Sequence, residues 1–341
     1  RNLLETYKRV TLSARLNKQW TTQKMNYGAM LSFDYGGSFD NDKVDSQFNH
    51  GGVDKYRSAY NRYATSLSLN MNSNIDRSLF RSLELSASFS YEKNILERTK
   101  MVQLNGDTPA AMTMTNGESD AVLISPYNYI ATHTVDGRPL SLYLKGNASF
   151  SIPIPGVSNS LLVGADYQMD RNVGEGQIYD RLHPVYTGTS YRPRKYSAIP
   201  ASQMLAGYVE ERISMGVGSS KLDIEAGLRA ETMLGINNQF ATHGKVNIDP
   251  RANVGWTFPS FVVGKDRMTI GITGGIGWHS MFPTIDLLYP EPAYMDIVEL
   301  NYYHPKPEFR RMYLQTYVIN PTNYELTAAR NLKWEIKGDV D

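Results

Sequence analysis

The residues to weigh first for chemistry are six histidines: His50, His133, His183, His243, His279 and His304. Imidazole binds zinc when a second ligand stands at a fixed short spacing. No two of these histidines have that spacing, so they read as isolated, solvated side chains. "DNDKVD" (Asp40–Asp45) is the stretch nearest to a calcium loop. Val44 stands where that loop needs an oxygen ligand and Gly51 where it needs a bidentate glutamate, which leaves a solvated acidic loop. A hydrolase of the nucleophile-elbow type needs Gly-x-Ser-x-Gly, and the chain has none. It has no cysteine either, which removes thiolate nucleophiles, thiolate metal sites and disulfides. "TGGIGWHS" (Thr273–Ser280) is glycine-rich but lacks the Lys-Ser/Thr ending of a phosphate loop. The expectation is a protein that is not an enzyme and holds no cofactor or metal.

Binding chemistry is better represented. Tyr127, Tyr129, Tyr179, Tyr186, Tyr302 and Tyr303 fall in polar connecting segments. A tyrosine offers a flat apolar body with a polar tip, which suits sugar rings and peptide backbones. The same rings also suit packing one loop against another. "SYRPRKY" (Ser190–Tyr196) mixes base and aromatic and reads as a solvated loop suited at most to an acidic glycan or a phosphate. Lys plus Arg number 35 against 34 for Asp plus Glu, a balance that argues against nucleic acid as a partner.

These residues must be held by β structure. In "SLELSASFSYEKN" (Ser82–Asn94), Leu83, Leu85, Ala87, Phe89 and Tyr91 alternate with Ser82, Glu84, Ser86, Ser88, Ser90 and Glu92. Such alternation is the mark of a strand with one apolar and one polar side. It recurs from Val10 to Leu16, Tyr27 to Tyr35, Tyr63 to Met71, Leu142 to Ile152, Leu161 to Met169, Met204 to Arg212, Leu222 to Ala230, Ala252 to Phe258, Met268 to Trp278 and from Asn331 onward. The weakest member is 204–212, where Leu205, Val209 and Ile213 compete for the apolar side. About eleven strands are expected in all. Most are longer than the roughly 5–6 residues of a soluble strand and match the ~9–11 of a tilted membrane strand.

Connections of two kinds alternate along the chain. Segments 17–25, 73–81, 153–159, 215–219 and 259–266 are short. Segments 36–61, 96–140, 171–201, 233–248 and 281–326 are mostly long and rich in Asp, Asn, Gly, Pro and Tyr. Up-and-down strands put each kind on its own side, as in outer-membrane barrels with short periplasmic turns and long extracellular loops. Tyr35, Tyr63, Tyr91 and Trp278 fall at the long-loop ends, and Trp256 and Phe258 at the opposite ends, as girdle residues would. No apolar run of about 18 residues or more exists to form a membrane helix. The expected fold is all-β: an antiparallel up-and-down transmembrane barrel, with residues 1–341 one part of it. Gly271, Gly275 and Gly277 fall on the inward side, where the strand bends or another backbone approaches.

Three stretches carry a family resemblance. "IEAGLRAE" (Ile224–Glu231), "DPRANVGWTF" (Asp249–Phe258) and "NPTNYELTAARNLKWEIKGDVD" (Asn320–Asp341) resemble, in order and spacing, barrel strands of TonB-dependent outer-membrane transporters. With "GADYQMDRNVGEG" (Gly164–Gly176) and the long loops, the chain is most similar to the SusC-like branch of Bacteroidetes. It departs at Ala328 and Ala329, where the family usually carries proline and glutamate. The resemblance implies half of a barrel of about 22 strands, with the N-terminal plug and the closing strands not in this chain. It implies active import of oligosaccharides or peptides across the outer membrane. The partners implied are the TonB complex, acting through the plug, and a SusD-like surface lipoprotein over the mouth. A passive porin or a structural barrel of a secretion complex is the alternative that the strands equally support. A secreted soluble β-protein, with its apolar sides packed as sheets, is the third.

Overall fold

The computed structural model describes residues 3–44, 53–75, 79–110, 112–187 and 192–340. Asp45, His50, Gly51, Ser190 and Tyr191 lie outside the described residues. Eleven long strands follow one another: β1 (Tyr7–Thr21), β2 (Met25–Val44), β3 (Asp54–Ser73), β4 (Phe80–Gln103), β5 (Pro139–Phe150), β6 (Val157–Asn172), β7 (Ser202–Val217), β8 (Ser220–Leu234), β9 (Val246–Thr257), β10 (Ile270–Met281) and β11 (Ala329–Val340). Each pairs antiparallel with the strand before and after it. Leu3–Leu4, Asn128–Gly137 and Gly176–Tyr179 complete this 14-stranded sheet. Among the described residues β1 and β11 each have one neighbour, so the sheet is open.

All eleven expected strands are present, and register resolves the ambiguous one. Leu205 pairs with Tyr167 and Val209 with Val163, so Leu205, Val209 and Ile213 share the apolar side of β7. Tyr208, Glu210 and Arg212 then point the other way. That apolar side is continuous from strand to strand, and it is uncovered. Leu85 is 44% exposed, Ile276 54% and Trp334 72%. The two buried apolar clusters lie elsewhere, at the long-connection end. One gathers Val102, Ala110, Ile124, Tyr129, Ala131 and Val185. The other gathers Met233, Ile236, Phe240, Phe282 and Leu288, with Leu326 and Ala328 packed against it. Apolar burial is the main driving force of folding in water. Here, among the described residues, the buried apolar clusters form in the long connections, while the long sheet leaves its apolar side uncovered.

Aromatic pairs bound the exposed band. Trp20 stacks on Tyr27 at 5.3 Å, and Phe80 meets Phe150 at 6.1 Å, near the short turns. Tyr35 meets Tyr63 at 5.1 Å towards the long connections, and Tyr91 follows Tyr63 in register. Tyr27 and Tyr35 lie on one strand, about 27 Å apart at the usual rise per residue.

Two expectations about connections need correction. Segment 36–61 is not an irregular loop, because β2 runs to Val44 and β3 starts at Asp54. Alternation stops near Tyr35, but the backbone ladder does not depend on an apolar side and continues past it. Segment 259–266 is no simple short turn: Phe261–Val263 and Asp266–Met268 form a hairpin of their own. Connection length therefore does not alternate strictly, whereas the two ends of the sheet still do. Of the other long segments, 96–140, 171–201 and 281–326 carry regular structure as well. Ala293–Tyr302, Arg311–Ile319 and Gly117–Asp120 form a three-stranded sheet drawn from two separate connections.

Candidate functional site

The polar side of the sheet is braced by side chains that skip a strand. Arg229 of β8 donates two hydrogen bonds to Asp166 of β6, at 2.8 and 3.0 Å. Its guanidinium lies 5.5 Å from the ring centroid of Tyr208 on the intervening β7. Arg251 of β9 reaches over Gly227 of β8 to Glu210 of β7. The Tyr208 hydroxyl donates over Gly164 of β6 to Asn147 of β5. Arg212 sits between Glu210 and Glu225, at 2.8 and 3.5 Å. Asp249 accepts from the Ser280 backbone N–H at 2.6 Å and from its hydroxyl at 2.7 Å. A recess of about 620 Å³ lies over this network, lined by Tyr143, Lys145, Asp166, Tyr208, Arg229 and Arg251 among others. Gly271, Gly275 and Gly277 do face this side. A Cβ on Gly275 would strike the Asn253 side chain, and one on Gly277 would lie 3.0 Å from the Arg251 Cβ. Side chains of β9 stand against both of these glycines.

Towards the long connections the same face carries a row in register across five strands: Asp42, Tyr56, Arg98, His133 and Tyr179. Arg98 donates to the Tyr186 hydroxyl at 3.0 Å, with its Nε 3.7 Å from Asp54. The Lys100 ammonium lies 4.8 Å from the Tyr186 ring centroid. His133 meets Tyr179 edge-on at 5.5 Å and Tyr186 at 6.4 Å. Burial lowers the His133 pKa and raises that of Tyr179. The recess here is about 420 Å³, within the range of small-ligand sites, and Asp42, Tyr56, Leu96, Arg98, His133 and Tyr186 line it. Flat rings beside a guanidinium and a carboxylate can sandwich and orient a polar ring or a planar backbone group.

The six tyrosines of the connecting segments fall in three places. Tyr186 lines the recess just described, and Tyr179 packs edge-on against His133 beside it. Tyr129 is buried, donates to the Pro184 carbonyl at 2.8 Å and packs against His183, so it joins two connections. Tyr127 donates to Asp107. Arg310 donates to both, at 3.0 Å to Tyr127 and 2.7 Å to Asp107, and lies 4.7 Å from the Tyr303 ring centroid. Tyr302 stands beside His304 at 6.4 Å and is exposed.

Sequence reasoning missed the residue that binds the loops into one cap. Arg192 donates to both oxygens of Asp296, at 2.8 and 2.9 Å, and to the Thr113 carbonyl at 2.9 Å. Thr316 donates to Asp296 at 2.6 Å, and the guanidinium lies 4.6 Å from the Tyr294 ring centroid. The Arg192 and Asp296 side chains are 3% and 1% exposed. Three connections, each on a different pair of strands, meet at this one ion pair. The only available signal was an arginine within "SYRPRKY", and nothing there names its partner. Matching against family models, curated proteins and solved structures returns none that resembles the chain.

Proposed function

We propose that the chain forms wall and outer mouth of an outer-membrane β-barrel importer of the SusC-like, TonB-dependent kind, taking up oligosaccharides or peptides. The observation that carries this reading is the sidedness of the sheet. An uncovered apolar band, bounded at both ends by aromatic pairs, backs a polar face laced with ion pairs. A water-exposed sheet hides its apolar side, whereas a barrel in lipid presents it. On this reading the lumen is the braced polar face, and the mouth is the aromatic recess under the capped loops. A SusD-like surface lipoprotein is the partner assigned to the cap. The three-stranded sheet offers it the exposed side chains of Met295, Ile297, Leu300, Tyr302, Tyr313 and Tyr317.

Uptake by whole cells tests the proposal. Cells carrying the full-length gene should accumulate a labelled oligosaccharide or peptide that deletion mutants do not. A protonophore, or loss of TonB, should abolish that accumulation. Uptake that survives both treatments indicates a passive porin, and outer membranes free of the protein end the reading altogether.

A further inference from the structure

His183 turns both ring nitrogens to acceptors. Nδ1 lies 2.7 Å from Asp180 Oδ2, and Nε2 lies 3.2 Å from the Ser125 carbonyl oxygen. A carboxylate and a carbonyl accept hydrogen bonds and donate none. Neutral imidazole carries one N–H, so it satisfies one acceptor and turns a lone pair to the other; imidazolium satisfies both. We infer that His183 is a proton-operated latch that ties the segment 180–187 to the connection 104–127.

The surroundings fit a latch. The Asp180 backbone carbonyl accepts from the His183 N–H at 3.2 Å, so ring and main chain close on the same turn. From the strand Asn128–Gly137 the titratable group facing the ring is the Tyr129 phenol, 5.2 Å between centroids, and its hydroxyl holds the Pro184 carbonyl. From the connection 104–127 the ring meets the Ser125 carbonyl, and no titratable group of that connection is recorded against it among the described residues. The charge acting on the ring is therefore that of Asp180. Its hydrogen bond, then the Ser125 carbonyl, raises the His183 pKa, and His183 in turn lowers that of Asp180. The sign follows from linkage. A raised histidine pKa gives a tie fully formed below the ordinary value of about 6.5, which is lost as pH rises through the folded value. The Asp180 share is lost only in acid, as pH falls through its depressed value. His133, in the same strand as Tyr129, has the opposite sign. Burial lowers its pKa, so it is mostly neutral above pH ~6.5 and makes little contribution there.

Hydrogen–deuterium exchange of the full-length protein in detergent micelles, between pH ~6.5 and ~8.5, tests the latch. With rates corrected for intrinsic pH dependence, amides of 124–129 and 181–186 should lose protection several-fold as pH rises. The sheet 293–319 should not change. His183→Gln should remove the step, and Asp180→Asn should move it to lower pH. A flat wild-type profile overturns the inference, as does an unchanged step in His183→Gln. Asp180→Asn, which keeps an acceptor in place, supplies the shift test if the glutamine variant misfolds.

Discussion

Arg229 and Asp166 are joined by two parallel hydrogen bonds although β7 lies between their strands. The ties from Arg251 to Glu210 and from Tyr208 to Asn147 repeat the arrangement one strand to either side. Each tie needs something low or flat beneath it. Arg229 crosses the ring of Tyr208, Arg251 crosses Gly227, and Tyr208 crosses Gly164. This gives a physical reason for residues in two of the stretches that carry the resemblance. The glycine and arginine of "GLR" (Gly227–Arg229) and the arginine of "DPR" (Asp249–Arg251) are parts of one brace. Backbone ladders hold a strand to its neighbours; these side chains hold it to the strand beyond.

The first prediction follows from Gly227. A Cβ there would lie 3.2 Å from Arg251 Nε and 3.3 Å from the Val209 carbonyl oxygen. Gly227→Val should push Arg251 off Glu210 and cost about 1–3 kcal/mol, the usual price of overpacking. Gly216→Val is the control, since a Cβ there meets nothing within 4 Å. Denaturant titration of the full-length protein in detergent reads both, and equal midpoints would contradict the brace.

The wall was legible because its rule is local. In β4, each residue from Ser82 to Tyr91 announces its side by its own type, and no distant partner is needed to read it. The resolution of β7 came from pairing: Val209 faces Val163, and only the register shows it. The cap was illegible for the opposite reason. Arg192 and Asp296 stand 104 positions apart. Nothing in the type of either residue identifies the other, because burial of an ion pair is decided by where three loops converge. The tyrosines lie between these cases. Their types place an apolar body in the connecting segments, where Tyr129, Tyr179 and Tyr302 lie in strands, and Tyr129 and Tyr186 have the same type and opposite exposure.

The second prediction concerns that ion pair. Asp296→Ala leaves Arg192 buried without its carboxylate and should cost about 3–5 kcal/mol of cap stability. Arg192→Met combined with Asp296→Leu should restore much of it, since an apolar pair of similar volume removes the uncompensated charge. Limited proteolysis within 104–127, 180–201 and 281–326 reports cap opening. If the single and double variants are cut at the same rate, the pair does not hold the loops.

The third prediction concerns sidedness. Thr115 lies beside the three-stranded cap, and Ile75 in a short turn at the other end; both are exposed. Cysteine at either position can be labelled selectively, because the 341 residues contain none. A bulky impermeant maleimide on intact cells should label Thr115→Cys and leave Ile75→Cys untouched until the outer membrane is broken. Labelling in the reverse pattern would invert the topology.

The fourth prediction separates lipid from water on the two sides of β4. Leu85 pairs with Leu69 and Gly146 on the uncovered apolar side. Ser88 pairs with Ser66 and Tyr143 on the polar side and lines a recess of about 290 Å³ that also holds Asp34, Asp170 and Arg62. Ser86 would be a poorer comparison, because it stands opposite Lys145 and an arginine there would meet a like charge. If the apolar side faces lipid as proposed, Leu85→Arg would place a guanidinium in mid-bilayer and cost about 2–4 kcal/mol, while Ser88→Arg would keep its charge in the polar recess. Refolding titrations of the full-length protein into lipid vesicles measure the difference. If the sheet stood in water, Leu85 would already be exposed to solvent, and arginine there would cost no more than at Ser88. Equal costs would therefore remove lipid from the apolar side, and with it the barrel.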